Sequence, residues 1–123
     1  MRYYTDFWGH FTISPPLDHS ALAELRARLE SDWGAPAALE DRSRPIYACH
    51  WEPSESGAAL QWNEVQNFRD YDAWLRYLIE RFFAPRGRTL DGEMRYSGEN
   101  DDDEGVIRIT RNRVTMEPIE PAF

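Results

Sequence analysis

The residues most able to do chemistry are carboxylates. Glu99-Asn100-Asp101-Asp102-Asp103-Glu104 places five acids in six residues, with no cation among them. Alternate oxygens at Glu99, Asp101 and Asp103 imitate the start of a calcium-binding EF-hand loop. The loop's glycine position falls on Glu104, however, and its twelfth position on Thr110, where a bidentate Glu is required. The run therefore reads as a solvated hairpin tip or a docking surface for a basic partner, and no metal is assigned. The histidines, His10, His19 and His50, join a single cysteine, Cys49, at spacings unlike those of structural zinc sites. Cys49 and His50 are neighbours on an expected strand, so their side chains point to opposite faces, which argues against a nucleophile–base dyad. Asp91 with Glu93, and Glu52 with Glu55, are paired carboxylates. Acid–base work needs one member of a pair desolvated, and nothing in the sequence supplies an apolar pocket around either. No catalytic residue and no cofactor is assigned, and the chain is read as non-enzymatic.

The rest of the chain does not neutralise the acidic run. It carries 22 acids against 14 bases, a formal charge of -8. That balance repels nucleic acid and attracts basic surfaces. Every basic residue is Arg, which fits either a GC-rich genome or selection for bidentate cations. With 123 residues and 14% aromatics, the chain is expected to form one domain, 1–123, with a substantial core. No apolar run approaches the roughly 20 residues of a membrane span. The N-terminus shows no apolar segment of a secretion signal, and one cysteine fits a reducing compartment, so a cytoplasmic location is expected.

The elements that must position these residues follow from periodicity. Residues 3–13 alternate as a strand, with Tyr3, Thr5, Phe7, Gly9, Phe11 and Ile13 on one face and Tyr4, Asp6, Trp8, His10 and Thr12 on the other. Pro15-Pro16 ends it. Asp18 is placed to cap a helix whose stripe is Leu22, Leu25 and Leu29, ended by Gly34 and Pro36. Residues 46–52 and 58–65 read as a hairpin around a Pro53–Gly57 turn. Asn67 is expected to cap a second helix from Phe68 to about Phe83, striped by Phe68, Tyr71, Trp74, Leu75, Leu78 and Phe82. Residues 90–97 and 106–110 are strands joined by the acidic turn, and 114–117 a short last strand. The order is that of an α+β fold: an antiparallel sheet with two helices on one face, ferredoxin-like β-α-β-β-α-β with a C-terminal strand or hairpin added.

The other face of that sheet is left open, carrying Trp8 and His10 beside Asp6, Asp91 and Glu93. Related folds stack RNA bases on such aromatics, but phosphates are repelled here. A Trp anchor ringed by acids suits an Arg-rich protein instead.

The opening Tyr3-Tyr4-Thr5-Asp6-Phe7-x-Gly9-x-Phe11-x-Ile13-x-Pro15-Pro16-Leu17, with Asp91-Gly92-Glu93-Met94-x-Tyr96-x-Gly98-Glu99 and Asp103-x-Gly105-x-Ile107, resembles a family of small proteins of actinobacteria and their phages. That family opens Gly-Tyr-Tyr-Thr and has an acidic Gly-Glu-Asp turn near its C-terminus; this chain has Arg2 in place of the Gly. The resemblance implies a phage or mobile-element context and carries over no catalytic residue. The expectation is an inhibitor of a host defence protein, an anti-CRISPR or similar, presenting a nucleic-acid-mimicking surface to a basic nuclease or CRISPR effector subunit. Its contacts are Glu99, Asp101, Asp102, Asp103 and Glu104, with Trp8, Asp91 and Glu93 in support. The alternative is an acidic accessory protein, a homodimer through the open sheet face.

Overall fold

The computed structural model describes residues 3–31, 45 and 48–119. Its elements are β1 (Thr5–Ser14), α1 (His19–Ser31), β2 (Trp51–Pro53), β3 (Ala59–Trp62), α2 (Tyr71–Leu78), β4 (Thr89–Gly98), β5 (Glu104–Thr110) and β6 (Arg113–Pro118). A π-helical turn, Ile79–Phe83, and a 3-10 turn, Ala84–Arg86, continue α2. The fold is α+β: among the described residues, one six-stranded antiparallel sheet in the order β2-β3-β1-β4-β5-β6, with two helices.

Alternation decides which face is covered. Phe7, Phe11 and Ile13 of β1, Leu90, Met94 and Tyr96 of β4, and Ile107 and Ile109 of β5 are buried. Against them pack Leu22 and Leu25 of α1, Trp74, Leu75 and Leu78 of α2, and Ile79, Phe82 and Phe83 of the π turn. The intervening residues Trp8, His10, Thr12, Glu93, Arg95 and Arg108 stand on the open face. Asp18 caps α1 as expected, accepting the Ala21 N–H at 2.8 Å.

Other boundaries differ from those expected: β3 covers only Ala59–Trp62 of the expected 58–65, and β5 starts at Glu104 rather than residue 106. β2 is confined to Trp51–Pro53, and residues 48–50 are not strand; residues 46 and 47 of the expected strand, and the expected helix stop at 34 and 36, lie outside the described residues. The second helix starts at Tyr71, without Asn67 as its cap. Asp70 takes the cap position in a left-handed conformation (φ 55°) with no side-chain cap bond, and Asn67 Oδ1 is buried without a hydrogen-bond partner among the described residues. The cause is Phe68. Its ring sits 5.0 Å from Trp51 and 5.0 Å from His50, and 5.9 Å from Phe7. Seating it there bends the chain before the helix begins, so burial of a large ring outweighs a local capping preference worth about 1 kcal/mol.

One join in the sheet is incomplete. β1 and β4 pair over their whole length, from Thr5↔Gly98 to Ser14↔Thr89. β1 and β3 pair only at Phe11↔Leu60 and Thr12↔Ala59. The two chains meet again where the Thr5 N–H donates to the Gln66 carbonyl at 3.0 Å. Between those points residues 6–10 face 61–65 without a ladder. Gly9 (φ +109°) and Glu64 (φ 71°) are the backbone departures on either side.

Candidate functional site: the acidic end of the sheet

The strand directions gather charge at one end of the molecule. β1 begins, and β4 ends, at the side where the 99–104 turn projects. The 63–70 connection to α2 lies at the same end, because Gln66 bonds to Thr5. Asp6, Glu64, Asp70, Glu99, Asp101, Asp102, Asp103 and Glu104 therefore share that end. The opposite end carries Arg86, Arg88, Arg111 and Arg113. Glu24 pairs with Arg86 there, and Asp18 approaches Arg88 at 3.7 Å.

The acidic turn is built, not merely solvated. The Tyr3 hydroxyl donates to Asp103 Oδ2 at 2.5 Å and accepts the Asn100 N–H at 3.2 Å. The Tyr4 N–H donates to Glu99 Oε1 at 2.7 Å. Within the turn the Gly98 N–H donates to the Asp103 carbonyl at 2.7 Å, and the Asp103 N–H to the Asn100 carbonyl at 3.0 Å. Glu104 pairs with Arg95 on the neighbouring strand. Gly98 is what lets Tyr3 and Asp103 meet: a Cβ there would collide with both the Tyr3 hydroxyl and the Asp103 carboxylate. Asp103 also lies near two further phenols. Burial first, then the Asp103 charge, pushes the Tyr71 hydroxyl well above the usual tyrosine range, and the same two causes raise Tyr96. Tyr3 is raised by burial and by its bond to Asp103. In each case the ionised phenolate would meet low dielectric and a like charge.

The expected contacts thus divide. Glu99, Asp103 and Glu104 spend their carboxylates on the fold. Asp101 and Asp102 are exposed and make no hydrogen bond or ion pair among the described residues. Trp8 is 53% exposed on the open face. Its register partner is Arg95, three residues, or about 10 Å, along β4 from Gly98. Asp91 is not beside the acidic turn: it lies roughly 20 Å along β4 from Ser97, where it accepts the Arg111 N–H at 2.7 Å and braces the β5–β6 turn. Glu93 is bridged by Arg108 at 3.0 Å, and Arg108 also reaches Glu117 at 3.2 Å, forming an ionic ladder across β4, β5 and β6. Along that ladder one arginine serves two carboxylates, and the acids of residues 99–104 gather at the end of the sheet. Asp6, Glu64 and Asp70 join it only through topology. Cross-strand neighbours far apart in sequence leave no spacing signal, so the sequence alone marked Asp6 only as an open-face residue.

Cys49 Sγ donates to the Trp51 carbonyl at 3.7 Å, while the His50 ring contacts Asn63 Nδ2 at 3.3 Å and packs edge-on against Phe68. Burial lowers the His50 pKa. Among the described residues no group of three or more His, Cys, Asp or Glu side chains is arranged to hold a metal ion, and no helix is long and apolar enough to cross a membrane. Comparison with protein-family models, with curated proteins and with solved structures finds no match to this chain.

Proposed function

We propose that the protein is a non-enzymatic inhibitor that docks its acidic end onto a basic protein, in the manner of a nucleic-acid mimic. The observation that carries this reading is the latched turn. Tyr3 and Tyr4 hold the Asp103 and Glu99 side chains and the Asn100 N–H, while Asp101 and Asp102 at the tip have no partner among the described residues. A mimic needs carboxylates held where phosphates would sit, since ordering them on binding would cost affinity. Asp6, Glu64 and Asp70 extend the same potential around the end of the sheet, which speeds encounter with a cationic channel.

The resemblance to actinobacterial and phage proteins supplies the context: a host defence protein such as a nuclease or a CRISPR effector subunit, met in the bacterial cytoplasm. At the level of fold, we read β1-α1-β2-β3-α2-β4 as a ferredoxin-like unit extended by the β5–β6 hairpin. The test is capture of a basic partner from a nuclease-treated lysate of a GC-rich host. Wild type retains it; a chain with Asp101→Asn and Asp102→Asn retains far less. Equal retention by both chains overturns the reading. The exposed Trp8 favours a second reading, a homodimer through the open face, which a concentration-dependent sedimentation measurement distinguishes.

A further inference from the structure

The interrupted β1–β3 ladder opens a cleft of about 580 Å³ in the open face, lined by Asp6, Trp8, Glu52, Gln61, Trp62 and Glu64 among others. We propose that this cleft is a receptor for a single arginine side chain presented by a protein partner. The inference rests on the reading above and deepens it, since it names what the basic partner inserts.

The walls select the chemistry. Trp62 forms part of the inner wall, its ring 5.2 Å from Phe7 of the core, and Trp8 stands at the rim, 53% exposed. A planar cation stacks on an indole face, and does so best where water is partly excluded. Asp6, Glu52 and Glu64 converge from β1, β2 and the loop after β3, and none of them forms an ion pair among the described residues. Asp6 instead accepts a bond from the Gln66 side chain at 2.8 Å, and Glu52 a long one from Gln61 at 3.4 Å. Arg95, in register with Trp8 across the β1–β4 ladder, is turned away to Glu104. Among the described residues the cleft therefore holds acceptors and aromatic surface without a cation. An arginine offers five N–H donors in a fixed plane to match them, which an ammonium does not. The volume lies within the roughly 300–1,000 Å³ typical of ligand sites. The cleft cannot take a whole β-strand, because the bond from Thr5 to Gln66 and the Phe11↔Leu60 pair close it at both ends.

The test uses Nα-acetyl-arginine N-methylamide, its citrulline counterpart and its lysine counterpart, titrated against the ¹⁵N-labelled full chain. The arginine probe is expected to move amides of residues 6–9 and 61–64 together with the Trp8 indole. The neutral citrulline probe should leave them still, and lysine should bind more weakly. Trp8→Ala is expected to weaken the arginine probe about five-fold, as loss of a cation–π contact would. Glu52→Gln with Glu64→Gln should weaken it further, and both variants should keep the wild-type spread of amide signals because the altered groups line a surface cleft. Equal shifts with citrulline, shifts confined to Asp101 and Asp102, or no shift at the cleft would each overturn the inference. The two readings fail separately. A basic partner captured equally by wild type and Trp8→Ala, but lost with the Asp101 and Asp102 substitutions, removes the cleft and keeps the docking end. Arginine binding at the cleft, with partner capture unchanged by those substitutions, does the reverse.

Discussion

Tyr3→Phe removes one oxygen and, with it, the latch of the acidic turn. That oxygen donates to the Asp103 carboxylate at 2.5 Å and accepts the Asn100 N–H at 3.2 Å. A hydrogen bond to a charged group contributes about 1.5–3 kcal/mol when fully desolvated. Tyr3 and Asp103 are half-buried, and water can replace part of the loss, so the expected cost is about 1–1.5 kcal/mol. For a domain of this size that lowers the melting midpoint by about 3–7 °C. The loss should be shared with Asp103. A double-mutant cycle of Tyr3→Phe and Asp103→Asn, read by urea unfolding, is expected to give a coupling energy of about 1 kcal/mol. Amide exchange supplies the local readout: the N–H groups of Gly98 and Asp103, bonded inside the turn, should lose protection in Tyr3→Phe while those of β4 with β1 keep theirs. Additive single-mutant effects, within about 0.3 kcal/mol, would refute the latch and leave the turn a solvated tip.

Other outcomes follow from the same geometry. Gly98→Ala drives a methyl into both Tyr3 and Asp103 and should cost at least as much stability as Tyr3→Phe; equal melting temperatures for Gly98→Ala and wild type would contradict this close approach. Tyr3, Tyr71 and Tyr96 all have raised pKa values, so the stability they hold is complete below about pH 10 and is lost as pH rises through their higher folded values. An alkaline spectrophotometric titration should therefore show phenols ionising late and together with unfolding, and Tyr71→Phe should delay that unfolding. His50 has the opposite sign: its folded pKa is lowered, so its contribution is present above about pH 6.5 and declines as pH falls through the folded value. His50→Gln should flatten the stability profile between neutral and mildly acidic pH, and an unchanged slope would mean the ring is not desolvated.

How much of this was legible in the sequence depends on whether an element is fixed by its own residues. β1 and β4 were, because each is buried on one side only and alternates cleanly: Phe7, Phe11 and Ile13 against Trp8, His10 and Thr12. The acidic segment was identified as a turn because its residues cannot be buried. The start of α2 was not legible, since the decisive contact is Phe68 with Trp51 and His50, whose partners lie 17 and 18 residues away by number. The π turn at Ile79–Phe83 was also hidden. It brings consecutive Phe82 and Phe83 both into the core, which a 3.6-residue period does not anticipate. At the candidate site the acidic turn was visible as composition, but its latch by Tyr3 joins residues 100 apart. The pairing of Glu93 with Arg108 and the bracing role of Asp91 depend on register. The β1–β3 cleft depends on a ladder that stops, and a missing pair leaves no mark in a sequence.

The central claim is that the fixed acidic end docks on a basic protein. The most direct measurement is the affinity of the captured partner, by calorimetry at about 0.05 M and about 0.5 M salt, for wild type and for the chain with Asp101→Asn and Asp102→Asn. Screening shortens from about 14 Å to about 4 Å across that range. Wild-type affinity is expected to fall at least ten-fold with salt, and the substituted chain, already weaker, to fall less steeply. Affinity that is flat with salt and equal in the two chains would contradict it.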